Sequence, residues 1–426
     1  MALLSFRRLG LLVLPLLAIV FGVVRPKLTL LGVFRTVVPH NNHDCAHVKG
    51  LEACEDAFVV NDAGLAYLVC SDQKTRQHWL PAILHINATG LPPVSTDYLA
   101  ILDFSDNSYR RLRITGLPDE ARGLYSHSIE IYRSPDEPDV LTVFLVSHRP
   151  PKNRPSSFQV GADSVVEILE TTLGSDEVKW VKTVRHPAIR TPNNLVATGP
   201  RTFYVSNDHR YKVHWTRAYE VFKSVASDIA YCDASGIAKG PGDLLYQGST
   251  LEGVVRVFEA QKDHSLVARD VVSVRSVCTL AFASQPCLTL SPSSTQLERP
   301  VDNVHVAEDG SIFVTTFPKI DEFRAASKDG GQSGKTSSVE IWRISNETRA
   351  CVLLSLSLSL SLPSETATLR PVLMLPSVST GNKYRKDLVF ADLGDVVSAS
   401  TSSAPYKNKL LLTGVYSSEV VVCDLK

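Results

Sequence analysis

The sequence predicts an all-β fold of the propeller kind, and three observations carry that expectation. Helical periodicity is scarce after the first thirty residues, so the apolar side chains must be buried on strands. A short unit recurs in which a polar turn leads into an apolar strand, a repeat of about 40 to 70 residues built of several strands. Cys45 stands just before the first strand-like segment and Cys423 nearly ends the chain. A bridge between them would join the first and last strands, as closing a ring of sheets requires. A large sandwich is the competing all-β fold, but it predicts no repeated turn–strand unit.

The chain begins with an element outside the propeller. Arg7-Arg8 precedes the uncharged run 9–24, and Arg25 follows it. At a rise of about 1.5 Å per residue that run spans roughly 24 Å, slightly short of a bilayer core of about 30 Å. The exit Val23-Val24-Arg25-Pro26-Lys27 lacks the small residues of a cleavage site. Residues 1–30 are therefore expected to form an uncleaved signal-anchor helix, the alternative being a cleaved signal. The arginines then stay cytoplasmic, and the propeller, residues 40–426, faces a lumen or the exterior. Eight cysteines suit such an oxidising compartment. None forms a CxxC pair, which disfavours structural zinc. Asn87-Ala88-Thr89 and Asn346-Glu347-Thr348 would be glycan acceptors there.

The turn–strand units follow in order. Asn61-Asp62-Ala63-Gly64 leads into 65–69, Asp136-Glu137-Pro138-Asp139 into 140–146, and Gly199-Pro200 into 202–205. Glu308-Asp309-Gly310 leads into 312–314, and Tyr406-Lys407-Asn408-Lys409 into 410–413. Between Gly199 and Glu308 there is room for one more, yet Leu244-Leu245-Tyr246-Gln247-Gly248 runs directly into 253–258, and 273–300 shows little pattern. The alternation of Leu and Ser over 354–362 fits a half-buried strand or a low-complexity insert of genetic origin.

Composition narrows the function. With 426 residues, 44% hydrophobic, the chain can bury a large core. Lys+Arg and Asp+Glu balance at 44 each, so no basic excess favours a nucleic acid partner. No GxSxG elbow supports a serine hydrolase, and no Gly-rich loop supports phosphate binding. His40, His43 and His47 near Cys45 lack the second half of a metal site. The informative pairs are Glu55-Asp56 and Asp302-Asn303, about 250 residues apart. Their carboxylate and amide oxygens are what a hard cation such as calcium takes as ligands. Each pair also suits a solvated turn.

Several blocks in sequence order resemble the paraoxonase/arylesterase family: HDCAHVKGLEACEDAFV, GLYSHSIEIY, VSHRP, TVRHPAIRTPNNLVATGPRTFYVSNDHRY, VDNVHV and YKNKLLLTGVYSSEVVVCDL. They cover most of 44–426. The resemblance implies a six-bladed propeller with two calcium ions in its tunnel, one catalytic and one structural. It maps the catalytic-calcium ligands onto Glu55, Asn193, Asp302 and Asn303. The structural-calcium ligands map onto Asp56, the backbone carbonyl of Ile129, and Asn194, where the family usually has an aspartate. His127 matches the proposed general base and His148 its supporting histidine, and Cys45 and Cys423 match the disulfide pair. Asn207-Asp208-His209 fits either the tunnel lining or a strand exit.

One departure is large. The family carries an Ala-Asn-Gly-Ile-type segment and a Pro-Asp-Gly turn in its fourth blade, and that Asn is a further ligand. Here no asparagine occurs between Asp208 and Asp302. One blade is expected to be truncated, which would open the ring and expose sheet edges. The resemblance implies a calcium-dependent hydrolase of small aryl esters or lactones, with a membrane contact through the N-terminal segment. The alternative is a catalytically impaired propeller that serves as a binding or scaffold protein.

Overall fold

A computed structural model describes residues 17–217, 228–233, 244–250, 252–261, 264–273, 299–328, 330–346 and 384–425. Six sheets make a six-bladed β-propeller. Strand β1 (Cys45–Lys49) belongs to the last blade. Blade 1 follows with β2 (Asp56–Val60), β3 (Leu65–Cys70), β6 (Tyr98–Asp103) and β7 (Tyr109–Arg111), interrupted by a small hairpin of β4 (Trp79–Leu80) and β5 (His85–Ile86). Blade 2 contains β8 (Arg113–Thr115), β9 (Ser126–Arg133), β10 (Val140–Arg149), β11 (Asp163–Thr172) and β12 (Glu177–Val184). Blade 3 is β13 (Pro192–Gly199), β14 (Thr202–Asn207) and β15 (Asp228–Asp233). Blade 4 is β16 (Leu244–Ser249), β17 (Val254–Ala260) and β18 (Leu266–Ser273). Blade 5 is β19 (Val301–Val306), β20 (Ile312–Thr316), β21 (Val339–Asn346) and β22 (Tyr384–Asp392). Blade 6 is β23 (Ser400–Tyr406), β24 (Lys409–Gly414) and β25 (Glu419–Asp424), completed by β1.

The turn–strand units in the sequence have one structural meaning. Each polar turn joins the inner strand of a blade to its second strand: β2 to β3, β9 to β10, β13 to β14, β19 to β20 and β23 to β24. The apolar strand is the second one because both of its faces are covered by neighbouring blades. Phe144, Val146, Phe203 and Val205, for example, pack together between blades 2 and 3. A fully buried side chain of this size stabilises by roughly 1.5–3 kcal/mol.

The ring closes as the end cysteines suggest. β1 pairs antiparallel with β25 in a register that sets Cys45 opposite Cys423, and the two are bonded. A second disulfide, Cys54–Cys70, bridges the entry of β2 to the end of β3. Cys232 is a buried free thiol.

The expected opening of the ring does not occur. Among the described residues blades 3 and 4 have three strands each. β16 takes the inner place of blade 4 beside β19, and Leu245 packs with Tyr204 of blade 3. The β16–β17 hairpin escapes a pattern search because Gln247 and Gly248 interrupt its apolar run, and its turn closes at Gly253, with φ +64°. The Leu-Ser alternation, Arg7-Arg8, the first half of the run 9–24 and most of 273–300 lie outside the described residues. Residues 20–24 and 25–30 are helical, with Phe21 and Val23 exposed and Leu30 buried against the propeller. Among the described residues no helix is long and apolar enough to cross a membrane.

Candidate metal centre

The inner strands begin at one end of the hub, and most of the expected site residues lie at or near those beginnings, with His148 near the end of the second strand β10. Glu55 is held there from two blades. Its N–H donates to Val69 O at 3.1 Å, within the hairpin that Cys54–Cys70 clamps. Its carbonyl accepts from Thr401 Oγ1 of blade 6 at 2.7 Å. With backbone and clamp fixed, the side chain turns into the hub, where it is 2% exposed. Oε1 accepts from Asn303 Nδ2 at 3.2 Å, and Oε2 is buried with no partner.

Asp56, 1% exposed, ties three blades together. Oδ1 accepts from Ser402 Oγ at 2.8 Å and from Ala57 N at 2.9 Å, and lies 3.4 Å from His305 Nε2. Oδ2 accepts from the Ile129 N–H at 3.3 Å. Ile129, assigned through its carbonyl, thus meets Asp56 through its N–H, because a buried carboxylate draws the nearest donor. Asn194 Oδ1 accepts from Ser128 Oγ at 3.0 Å and from Leu195 N at 2.7 Å, and its Nδ2 donates to Asn303 Oδ1 at 3.2 Å. Asn193 sets Nδ2 3.1 Å from His127 Nε2. Asp302 joins Asp56, Asn193, Asn194 and Asn303 around a hub cavity of about 140 Å³. A Cβ on Gly248 would stand 2.8 Å from the Asp302 carbonyl, so the glycine lets β16 approach β19.

The histidines sit together above this set. The His127 and His148 rings are 5.0 Å apart, and His127 Nε2 is 4.0 Å from Glu55 Oε1. His148 Nδ1 pairs with Ser164 Oγ at 2.9 Å. His127 Nδ1 and His148 Nε2 are buried without partners. All nine expected residues therefore reach one end of the tunnel. Asn207 does not: its amide oxygen accepts from Arg190 N and Thr191 N, and it shapes the strand exit. Asp208 instead lines a small cavity beside His148. His47 faces Glu419 and Cys45 is disulfide-bonded, so those residues form no metal cluster.

Charge gives the hub its character. Burial holds the Glu55 carboxyl well above the usual carboxylate range, with Asp56 and Asp302 adding like charge and Arg76 and Asn303 opposing. Asp302 is pushed up to about 8 by burial, then by Asp56 and Asp208. Glu130 rises to about 8 by burial and Asp56. Burial holds His127 well below the usual imidazole range, reinforced by His148 and Arg76. His148 is lowered to about 3 by burial, then Arg76, Lys212 and Arg217.

These residues fit a hard cation. The donors are oxygens, a bound cation would let the crowded Glu55 and Asp302 ionise, and a buried oxygen of Glu55 is left over. Among the described residues no three His, Cys, Asp or Glu side chains are arranged so as to hold a metal ion by themselves, so the set depends on the amides of Asn193, Asn194 and Asn303. Sequence reasoning missed Thr401, Ser402 and His305. His305 was legible, since it lies two residues beyond Asn303 on the same strand. Thr401 and Ser402 stand in a plain serine-rich strand and give no signal.

Human serum paraoxonase/arylesterase 1 is 25% identical over 255 residues, covering 56% of this chain and 65% of that protein. The rat protein of the same name is 22% identical over 262 residues, covering 58% and 67%. The chain thus spans about two thirds of the length of these relatives, and just under that for the human one. A solved periplasmic gluconolactonase of Pseudomonas aeruginosa aligns over 86% of this chain and 79% of its own, at 10% identity and a TM-score of 0.36, too distant to carry an argument. The sequence model of the Arylesterase family matches residues 41–350, and the chain belongs to that family.

Proposed function

We propose that this protein hydrolyses small carboxylic esters, aryl esters and lactones, with calcium as its cofactor. The observation that carries the reading is the buried Glu55 carboxylate, one oxygen unpartnered, set among Asp302, Asn303 and Asn193 beside a paired histidine. Glu55, Asn193, Asp302 and Asn303 would hold a catalytic ion. Asp56, Asn194 and the Ile129 carbonyl would hold a structural one. Bound calcium supplies a Lewis acid for the scissile carbonyl. The chain's own residues supply proton transfer. Burial keeps His127 neutral; its Nε2 holds the ring's lone pair, now accepting from Asn193 Nδ2, and would take the proton of an attacking water that displaces that contact, while Nδ1 carries the ring proton. Asn193 thereby sets the tautomer of the ring, and His148, anchored on Ser164, packs against it.

A second reading is favoured by blade 4, because no asparagine stands between Asp208 and Asp302 and the inner strand turns Gln247, not an asparagine, to the hub cavity. On that reading the propeller binds without turning over. Hydrolysis of phenyl acetate and of a δ-lactone, with calcium and with excess chelator, separates the two. The first reading expects activity that chelator abolishes and calcium restores. Calcium binding without hydrolysis supports the second, and hydrolysis that persists in excess chelator overturns the metal's role.

The same proposal places the chain on a membrane through 9–24, facing a lumen or the exterior, with Asn87 a glycan acceptor. The two disulfides and the exposed apolar side chains of 20–24 support that placement. Protease protection of the propeller in sealed microsomes tests it, and full sensitivity to added protease would count against it.

A further inference from the structure

The histidine end of the hub holds a charge that the proposed chemistry leaves unused. Arg76 lies in the short helix Gln73–His78, after β3, and is 4% exposed. Its Nη1 donates to the Ser126 carbonyl at 2.9 Å, next to His127. Its Nε and Nη2 are buried and have no partner. Those two nitrogens form the guanidinium edge whose N–H bonds run parallel, the fork that meets a carboxylate with two hydrogen bonds.

The neighbouring acids leave the fork empty. Asp97 is engaged by Ser71 Oγ at 2.6 Å, Ser126 N at 2.7 Å and Ser126 Oγ at 3.0 Å. Glu55 feels the Arg76 charge, yet its own Oε2 is unpartnered. With His127 Nδ1 and His148 Nε2, these atoms make a group of donors and acceptors unmatched to one another. Buried polar groups left in that state match a polar guest. The surroundings favour an anion. His148 shares a small cavity with Arg190, Lys212 and Arg217, against the single acid Asp208 among the described lining residues. Lys212 Nζ is held by the Ala162 carbonyl at 2.8 Å and Arg217 by the Ala82 carbonyl at 2.8 Å, so their charges are fixed in place.

We propose that Arg76 receives a carboxylate on its Nε–Nη2 edge, and that the site therefore selects esters or lactones that carry a carboxylate. The inference rests on the hydrolase reading. Two sources share this chemistry: a carboxylate on the substrate, and the acid released by hydrolysis.

The test compares the full chain with Arg76→Gln and with Arg76→Lys, which keeps the charge and loses the fork. The first readout is the ratio of kcat/KM for monophenyl succinate to that for phenyl pentanoate. The wild type should favour the anionic ester, and the ratio should fall at least tenfold in both variants; a merely structural role lowers both rates and leaves the ratio. A tenfold rise in the inhibition constant of acetate against phenyl acetate, with the ester ratio unmoved, assigns the fork to the released acid instead. Calorimetric titration with succinate, without ester, separates the two readings. Succinate binding lost in the variants, in a protein that hydrolyses nothing, keeps this inference and removes the hydrolase. Ester ratio, acetate inhibition and succinate binding all unchanged in the variants overturn it, as does a wild type that neither prefers nor binds the carboxylate.

Discussion

At the scale of the residue, the hub is an arrangement of acids that the rest of the protein tolerates rather than satisfies. Glu55, Asp56 and Asp302 crowd one another, and hydroxyl, amide and backbone donors engage only some of their oxygens. Asp302→Ala should reduce the rise in melting temperature that calcium produces, leaving only the part due to the structural ion, and remove esterase activity, with a smaller loss of fold. Thermal unfolding with and without calcium checks the first, and an unaffected turnover number would remove the residue from the site. A ligand that binds only the folded state stabilises by about 2.7 kcal/mol at a hundredfold excess over its Kd, so the lost part of the shift is readable. His127→Gln should lower kcat by about 10²–10⁴ if the ring acts as general base, while the calcium-dependent shift persists. Loss of both together would assign His127 to the metal rather than to the proton.

At the scale of the element, loops between strands position the site from outside. The helix Gln73–His78 carries Arg76 and is capped by Asp72, whose Oδ1 accepts from Thr75 N at 2.8 Å. Burial opposes ionisation of Asp72, but hydrogen bonds from Thr96 and Thr75 prevail and hold its carboxyl below the usual range. A depressed folded pKa means stability present above the unfolded value and lost as pH falls through the folded one. Asp72→Ala should therefore cost about 1 kcal/mol at pH 7, and the difference should shrink as pH falls through the folded pKa. Urea midpoints of the two proteins at neutral and at acid pH measure it, and an equal gap at low pH would dissociate the cap from its charge.

At the scale of the whole molecule, two disulfides act on different lengths of chain. Cys54–Cys70 closes a loop with a sequence separation of 16, and Cys45–Cys423 one of 378. By chain entropy the short loop stabilises by about 3 kcal/mol and the long one by more, toward about 5. Replacing Cys45 and Cys423 by Ala should lower the denaturant midpoint more than replacing Cys54 and Cys70. The short bridge should matter more to the metal site, because it clamps the turn that carries Glu55. Calcium affinity of the two double variants checks this, and equal affinities would leave the clamp a matter of stability alone.

The sequence by itself determined the class of fold, since turns followed by apolar strands recur wherever a second strand is covered on both faces. It also supplied the ring closure, because Cys45 and Cys423 stand at the ends of the repeat. The nine candidate residues were legible through family motifs that keep their order along the chain. Tertiary structure alone decided what those motifs touch. Blade 4 escaped detection because Gln247 and Gly248 break its pattern, yet packing against blades 3 and 5 carries β16 into the ring. Arg76, Thr401 and Ser402 gave no sign, because their role depends on contacts with Ser126, Glu55 and Asp56 from other blades. Local pattern encodes which face of a strand is buried; the meeting of six strand ends at one axis is set by how the blades pack around it.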